Sequence, residues 1–161
     1  MENIFFNGAT IDIVLRLFVA VVLGMIIGTE RVWAHKTAGM RTYALVAMGA
    51  ALFVIISEAL VFKYINVGGF DPTRIASQIV VGIGFLGAGS IMLQGSRLKG
   101  LTTASGLWVC AGIGMASGLG LFNIAIIATT LTLFIFIVLW FIEKRIKNSK
   151  FYKEDHIDDL L

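Results

Sequence analysis

The chain alternates between long apolar runs and short polar segments. A bilayer core about 30 Å thick is crossed by about 20 apolar residues of α-helix, so runs of that length predict membrane spans. Five runs qualify, at residues 11–29, 41–62, 75–94, 101–119 and 121–142. The pattern therefore predicts an all-α fold, a polytopic transmembrane helix bundle of five spans over residues 1–142 with a short tail at 143–161.

The junction between the fourth and fifth runs is the least sharply marked. It is formed by Gly118, Leu119 and Gly120, with Asn123 close behind. Glycines are typical of tight turns, so the sequence favours a helical hairpin at this point. One long helix through both runs is the competing interpretation.

The basic residues predict how the helices are oriented. Of the thirteen Lys and Arg residues, ten fall in the first loop, the third loop and the tail, two fall in the second loop, and Arg16 lies inside a span. Cytoplasmic loops of membrane proteins are enriched in Lys and Arg. The bias predicts an amino terminus outside and a cytoplasmic tail on a multi-pass membrane protein.

Composition excludes several classes of function. Hydrophobic residues make up 58% and charged residues 14% of the chain, with a mean hydropathy of +0.90, whereas soluble domains are about 45–50% apolar and about 25% charged. The net charge is +3, and the basic residues lie next to the apolar runs. Membrane lipid is therefore the expected partner, and no nucleic-acid partner is expected. One Cys gives no disulfide framework or cysteine-rich metal site. Without a nucleophile and its base, we expect no enzyme and no cofactor.

Two predicted spans carry small or polar residues at every fourth position, which predicts close packing between helices. The first span has Asp12, Arg16, Ala20, Gly24 and Gly28, and the fourth has Thr102, Gly106, Cys110, Gly114 and Gly118. Asp12 and Arg16 lie one helical turn apart, so a structural ion pair is expected. Cys110 has no histidine near it in the sequence, and a small buried thiol is favoured over a nucleophile.

The third span contains a glycine-rich string, Gly82-Ile83-Gly84-Phe85-Leu86-Gly87. The string matches the dinucleotide-binding fingerprint, but no strand precedes it and it lies within a predicted span. Close packing is the favoured role of these glycines, and a broken helix that lines a cavity is the alternative. The positions concerned are Gly82, Gly84, Gly87 and Gly89.

Polar residues near the span ends are the candidates for function. Glu30, Arg31 and Arg41 are predicted to form an ionic cluster at the inner face. Asp71 is expected to cap the third helix, and with Arg74 and Gln78 to form a polar entrance at the outer face. Lipid headgroup contact is an equally weighted role for the inner group.

Besides Asp12, Glu58 is the other acidic residue within a predicted span, and it lies about one turn from the outer end of the second span. Lys63 follows five positions later and is expected to neutralise it in part. A solvated position at the interface is favoured, and a role in moving a proton or cation is the alternative.

Several strings taken together resemble the MgtC/SapB family of membrane proteins. In the first half they are Gly28-Thr29-Glu30-Arg31, Lys36-Thr37-Ala38-Gly39-Met40-Arg41-Thr42 and Gly49-Ala50-Ala51-Leu52-Phe53. In the second half they are Asp71-Pro72-Thr73-Arg74-Ile75-Ala76, Gln78-Ile79-Val80, the glycine-rich string through Gly89, Gly100-Leu101-Thr102-Thr103-Ala104 and Leu107-Trp108. The resemblance covers about residues 15–120.

The resemblance implies an integral protein of the bacterial inner membrane that is linked to growth in low magnesium. It implies a non-enzymatic modulator of ion homeostasis or of partner membrane proteins, acting as a homo-oligomer or with a membrane-protein partner. A carrier or channel for Mg²⁺ or another cation is the alternative. Longer relatives carry a soluble carboxyl-terminal domain, whereas a short tail follows residue 142 here.

Overall fold

The computed structural model describes residues 8–64 and 73–148, and these residues are almost entirely helical. The helices are α1 (Gly8–Trp33), α2 (Met40–Tyr64), α3 (Thr73–Gly89), α4 (Leu101–Gly118) and α5 (Phe122–Phe134). A π-helical turn (Ile135–Leu139) continues α5 directly into α6 (Trp140–Lys147). The predicted all-helical class is confirmed.

Three of the described helices are long and apolar enough to cross a membrane by length and composition. They cover Thr10–Trp33, Met40–Val61 and the continuous helix Phe122–Lys147, whereas α3 contributes a shorter apolar helix, Arg74–Gly89. The last helix continues past residue 142, where the tail was predicted to begin, so the basic segment that follows is an extension of the same helix.

The third predicted span, residues 75–94, is too long. Helix α3 ends at Gly89, and the chain then forms a small antiparallel hairpin of β1 (Met92–Gln94) and β2 (Arg97–Lys99). Gly95 adopts the left-handed region at φ 63° and begins the turn between the two strands. The apolar run extends to residue 94 because the residues of strand β1 are as apolar as those of a membrane-spanning helix.

The predicted hairpin between the fourth and fifth runs is confirmed, and the single long helix is excluded. Helix α4 ends when Gly120 takes a left-handed φ of 73°. The amide of Gly120 donates to the Ser117 carbonyl at 3.0 Å and that of Leu121 donates to the Ala116 carbonyl at 2.8 Å. This pair of bonds is the Schellman arrangement that closes a helix, and glycine adopts its left-handed position without a steric penalty.

Helix α4 lies at the centre of the bundle, in contact with α1, α2, α3 and α5. The main core joins four segments, with Ile27 on α1, Tyr43 on α2, Ile113 on α4 and Phe136 on the π-helical turn. A central helix is covered by its neighbours instead of lipid, which explains why small and hydroxyl residues are tolerated along its length.

Five of the predicted packing glycines lie where two segments approach most closely. A Cβ atom at Gly114 would stand 2.2 Å from the Ala47 carbonyl oxygen, closer than any real contact. The equivalent atoms at four other glycines would lie within 2.7 Å of a neighbouring segment: Gly24, Gly28, Gly106 and Gly118. The four-residue pattern on α1 and α4 therefore marks the backbone contacts of these helices with α2 and, at Gly106, with side chains.

The glycines of α3 behave differently. At Gly87 an added Cβ would make ordinary contact with Ala104, the nearest atoms being 3.7 Å away. At Gly82, Gly84 and Gly89 it would meet no atom of the described chain within 4 Å. The packing expected at these three positions does not occur within the described residues, and the helix is also unbroken there.

Candidate functional site at the end of helix α1

A buried ion pair lies in the last turn of helix α1. The Arg31 guanidinium donates to the carboxylate of its neighbour Glu30, and the Arg31 residue is only 2% exposed. A buried charge costs several kcal/mol unless a partner compensates it. The pair predicted to belong to an ionic cluster is therefore held inside the protein, where its charges are balanced against each other.

The second contact of Arg31 is aromatic. Its guanidinium carbon lies 3.5 Å from the centroid of the Phe136 ring, which is itself buried. A cation over an aromatic face is attracted by the ring quadrupole, more strongly when both groups are shielded from solvent. Phe136 belongs to the π-helical turn, and such single-turn irregularities change which side chain faces the bundle.

Tyr43 completes this cluster from α2. Its hydroxyl donates to the Thr103 carbonyl at 3.4 Å, and its own carbonyl accepts from the Cys110 thiol at 3.2 Å. A Cβ at Gly106 would stand 2.5 Å from the Tyr43 hydroxyl and 2.7 Å from the Phe136 ring. Glycine at this position makes room for both aromatic side chains, so α1, α2, α4 and the π-helical turn meet at one point.

A cleft of about 1110 Å³ opens beside the buried pair. We call it the basic cleft. Glu30 and Arg31 line it, and so do five other ionisable side chains from the α1–α2 loop and α6: His35, Lys36, Glu143, Lys144 and Lys147. Glu143 pairs with Lys147 one turn along α6.

The turn after α1 sets the direction of the α1–α2 loop. The amide of His35 donates to the Val32 carbonyl and that of Lys36 donates to the Arg31 carbonyl, both at 3.0 Å. His35 adopts φ 54°, a left-handed conformation that glycine usually supplies at this position. His35 and Lys36 consequently both line the basic cleft.

The other predicted site residues do not join this cluster. Arg41 and Gln78 line a separate, largely apolar groove of about 610 Å³ between α2 and α3, and Arg41 is not among the residues of the basic cleft. Of the predicted inner cluster, the structure brings Glu30 and Arg31 together and places Arg41 on the face of α2 that is turned toward α3. Arg74 is exposed at the start of α3, and Asp71 lies outside the described residues.

A second ionic group ties three helices at the opposite end of the bundle. The Arg16 Nε atom is 2.7 Å from the Asp12 carboxylate, which confirms the predicted pair. The Nη1 atom also donates to Glu58 at 2.6 Å and to the Gly118 carbonyl at 3.0 Å. Glu58 thus finds its partner on α1; the side chain of Lys63, the partner predicted from the sequence, lies outside the described residues.

Sequence comparison assigns the family. The model of the MgtC family matches residues 17–145. The chain belongs to the MgtC family. The matched region contains Glu30, Arg31, Tyr43 and Phe136, so the whole buried cluster lies within the part that defines the family match.

Three relatives indicate how the MgtC-family chain compares with longer proteins. It is 40% identical to "Putative magnesium transporter YhiD" of Escherichia coli K12 over 146 residues, 89% of this chain and 67% of that protein. It is 49% identical to "Protein MgtC" of Salmonella typhimurium LT2 over 120 residues, 74% of this chain and 49% of that protein. It is 48% identical to "Uncharacterized protein slr0014" of Synechocystis over 119 residues, 74% of this chain and 48% of that protein.

The chain thus spans about half the length of two of these curated relatives. No solved structure matches it. The resemblance noted from the sequence strings is confirmed, and the family match extends it through the π-helical turn to residue 145.

Proposed function

We propose that this MgtC-family chain is a non-enzymatic, multi-pass protein of the bacterial cytoplasmic membrane that modulates magnesium-linked ion homeostasis through a second copy or a partner membrane protein. The family membership supports the membrane setting, and the printed name of the YhiD relative supports the link to magnesium. The physical argument for a modulator comes from how the acidic side chains are used.

Each of the four acidic residues in the described ranges 8–64 and 73–148 is engaged in an ion pair. Glu30 pairs with Arg31 and Glu143 with Lys147, while Asp12 and Glu58 share Arg16. Magnesium prefers oxygen ligands in octahedral geometry, and carboxylates are its usual protein ligands. Carboxylates already held by basic side chains are poor ligands, and this observation carries the preference for a modulator over a carrier.

The proposed topology has five crossings with the α1–α2 loop in the cytoplasm. The three long apolar helices supply three of them. Helices α3 and α4 supply the other two, since α4 runs through the centre of the bundle between helices of spanning length. The concentration of Lys and Arg in the first and third loops and the last helix supports this orientation.

Open glycine positions on α3 support a role for a second helix from outside the chain. Small residues let helix backbones approach closely in a bilayer, and Gly82, Gly84 and Gly89 have open space beside them. A second copy of the chain and a different membrane protein are the two partners that these open positions admit.

A carrier for Mg²⁺ is the alternative function, favoured by the printed name of the YhiD relative. In that case Glu30, which lines the basic cleft, is the candidate ligand. The Glu30 carboxylate would then have to separate from Arg31 before it could bind a cation.

Two measurements on the same variants separate the functions. The first is Mg²⁺ influx into liposomes that contain only the purified protein, followed with an enclosed indicator. The second is growth at low magnesium of a cell that lacks its own copy of the gene and expresses the variant. Glu30→Gln is compared with Glu143→Gln, which removes a carboxylate from an exposed pair.

The modulator predicts no influx above that of empty liposomes, together with growth that Glu30→Gln abolishes and Glu143→Gln preserves, with Glu30→Gln still present in the membrane. Saturable influx that Glu30→Gln abolishes would establish the carrier instead. Wild-type growth of Glu30→Gln would remove Glu30 from the functional site in either case.

A further inference from the structure

The charges in the basic cleft are not balanced. Four cationic side chains line it against two carboxylates, and both carboxylates are committed, Glu30 to Arg31 and Glu143 to Lys147. Among the described residues, no carboxylate stands within ion-pair distance of Lys36 or Lys144. The cleft therefore presents two ammonium groups to an anion from outside the chain.

The aromatic residues at the rim indicate where the cleft stands relative to the bilayer. Trp33 is 82% exposed and Trp140 49% exposed, and both line the cleft. Tryptophan is enriched at the level of lipid headgroups, because its ring is apolar and its N–H is polar. Lys144 lies with its Nζ atom 5.0 Å from the Trp140 ring centroid, which holds one ammonium group at this same level.

The apolar part of the lining suits an acyl chain. Ile135 and Leu139 of the π-helical turn and Phe141 of α6 line the same cleft as the lysines. A ligand that fills both parts must combine a phosphate-like anion with hydrocarbon. Basic pockets between membrane helices on the cytoplasmic side are known to bind anionic headgroups.

We propose that the basic cleft binds the phosphate group of an anionic phospholipid, with Lys36 and Lys144 as its ligands and with the acyl chains against the π-helical turn. The lipid site shares the cleft with Glu30, but its test measures lipid retention and does not depend on the modulator function. Arg31 is a positioning residue, because its charge is already compensated by Glu30 beneath the cleft.

The test uses the full chain in nanodiscs of phosphatidylcholine with increasing phosphatidylglycerol, and retained lipid is counted by native mass spectrometry. The double variant Lys36→Gln/Lys144→Gln is compared with Lys99→Gln/Arg145→Gln. The control removes the same charge from β2 and from α6, at positions that do not line the cleft. Lys36→Arg/Lys144→Arg keeps the charge and serves as the rescue.

Each ammonium that hydrogen-bonds to the phosphate is expected to contribute about five-fold to lipid retention, so the double variant is expected to weaken phosphatidylglycerol retention about 25-fold. The control is expected to stay within about two-fold, and the arginine variant to retain the lipid. Equal losses in the double variant and the control would overturn the site, since they would reflect surface charge alone. Displacement of phosphatidylglycerol by millimolar inorganic phosphate, or equally tight phosphate binding in neutral nanodiscs, would overturn the lipid as the source of the phosphate.

Discussion

The guanidinium carbon of Arg31 lies 3.5 Å from the centroid of the Phe136 ring, and the Glu30 carboxylate pairs with the same guanidinium. This contact joins the end of α1 to the π-helical turn of the last helix, at a point where α2 and α4 also meet. This contact helps to fix the relative position of the helices, because moving the ring away removes the aromatic face from the buried guanidinium.

Phe136→Leu is expected to destabilise the protein. The substitution keeps an apolar side chain but removes the aromatic face under Arg31, which is worth about 2 kcal/mol for a desolvated pair. The free energy of unfolding in mixed detergent and SDS micelles measures the effect. Phe134→Leu is the matched control, because Phe134 is 54% exposed on the same continuous helix; equal losses in the two variants would show that the Arg31 contact adds nothing.

Glu30→Gln is expected to lower the free energy of unfolding by about 3–5 kcal/mol, because it leaves the buried Arg31 charge without its partner. The double variant Glu30→Gln/Arg31→Gln is expected to recover most of that loss, since no unpaired charge remains. Thermal unfolding is followed conveniently through Cys110, whose thiol is fully buried in the folded chain and reacts with a dye only on unfolding. Additive losses in the double variant would contradict a coupled pair.

Gly114→Ala is expected to cost about 1–3 kcal/mol, because its Cβ would stand 2.2 Å from the Ala47 carbonyl and would force α2 and α4 apart. Gly112→Ala lies on the same helix with nothing within 4 Å and is expected to be neutral or slightly stabilising, since alanine favours helix. The same unfolding measurement compares the two. A neutral Gly114→Ala would show that the helices separate at little cost.

The helices and their close contacts are predictable from the sequence because both leave a periodic signal. The apolar runs locate α1 to α5, and the four-residue spacing on α1 locates the crossing at Gly24. The β-hairpin is missed, since Met92 and Leu93 are as suitable for a helix as for a strand. The pair Gly95-Ser96 is the turn signal that precedes a second short strand, and it could have indicated the hairpin.

The candidate site is predictable only in part. Glu30 and Arg31 stand out because charged residues are rare in this chain. Phe136 is one of twelve phenylalanines, and the direction in which its side chain points is set by a π-helical turn that the spacing of hydrophobic residues does not indicate. Tyr43 carries a weak signal, as the one tyrosine within a predicted span. Arg41 is placed with α3 by packing between helices, which local sequence does not encode.

The number of crossings is tested most directly by labelling a cysteine at Leu93 in the Cys110→Ala background, which removes the chain's single native cysteine. Leu93 is 70% exposed on the hairpin between α3 and α4. If α3 and α4 both cross, this site faces the cytoplasm, like cysteines placed at Ala34 and Asn148. If they enter and return on one side, Leu93 alone changes compartment.

A membrane-impermeant maleimide is applied to intact cells and to permeabilised cells, with Leu121→Cys as the outward control. The five-crossing account predicts that Leu93→Cys, Ala34→Cys and Asn148→Cys react only after permeabilisation, whereas Leu121→Cys reacts in intact cells. Labelling of Leu93→Cys in intact cells would contradict five crossings and, with them, the proposed positions of the loops.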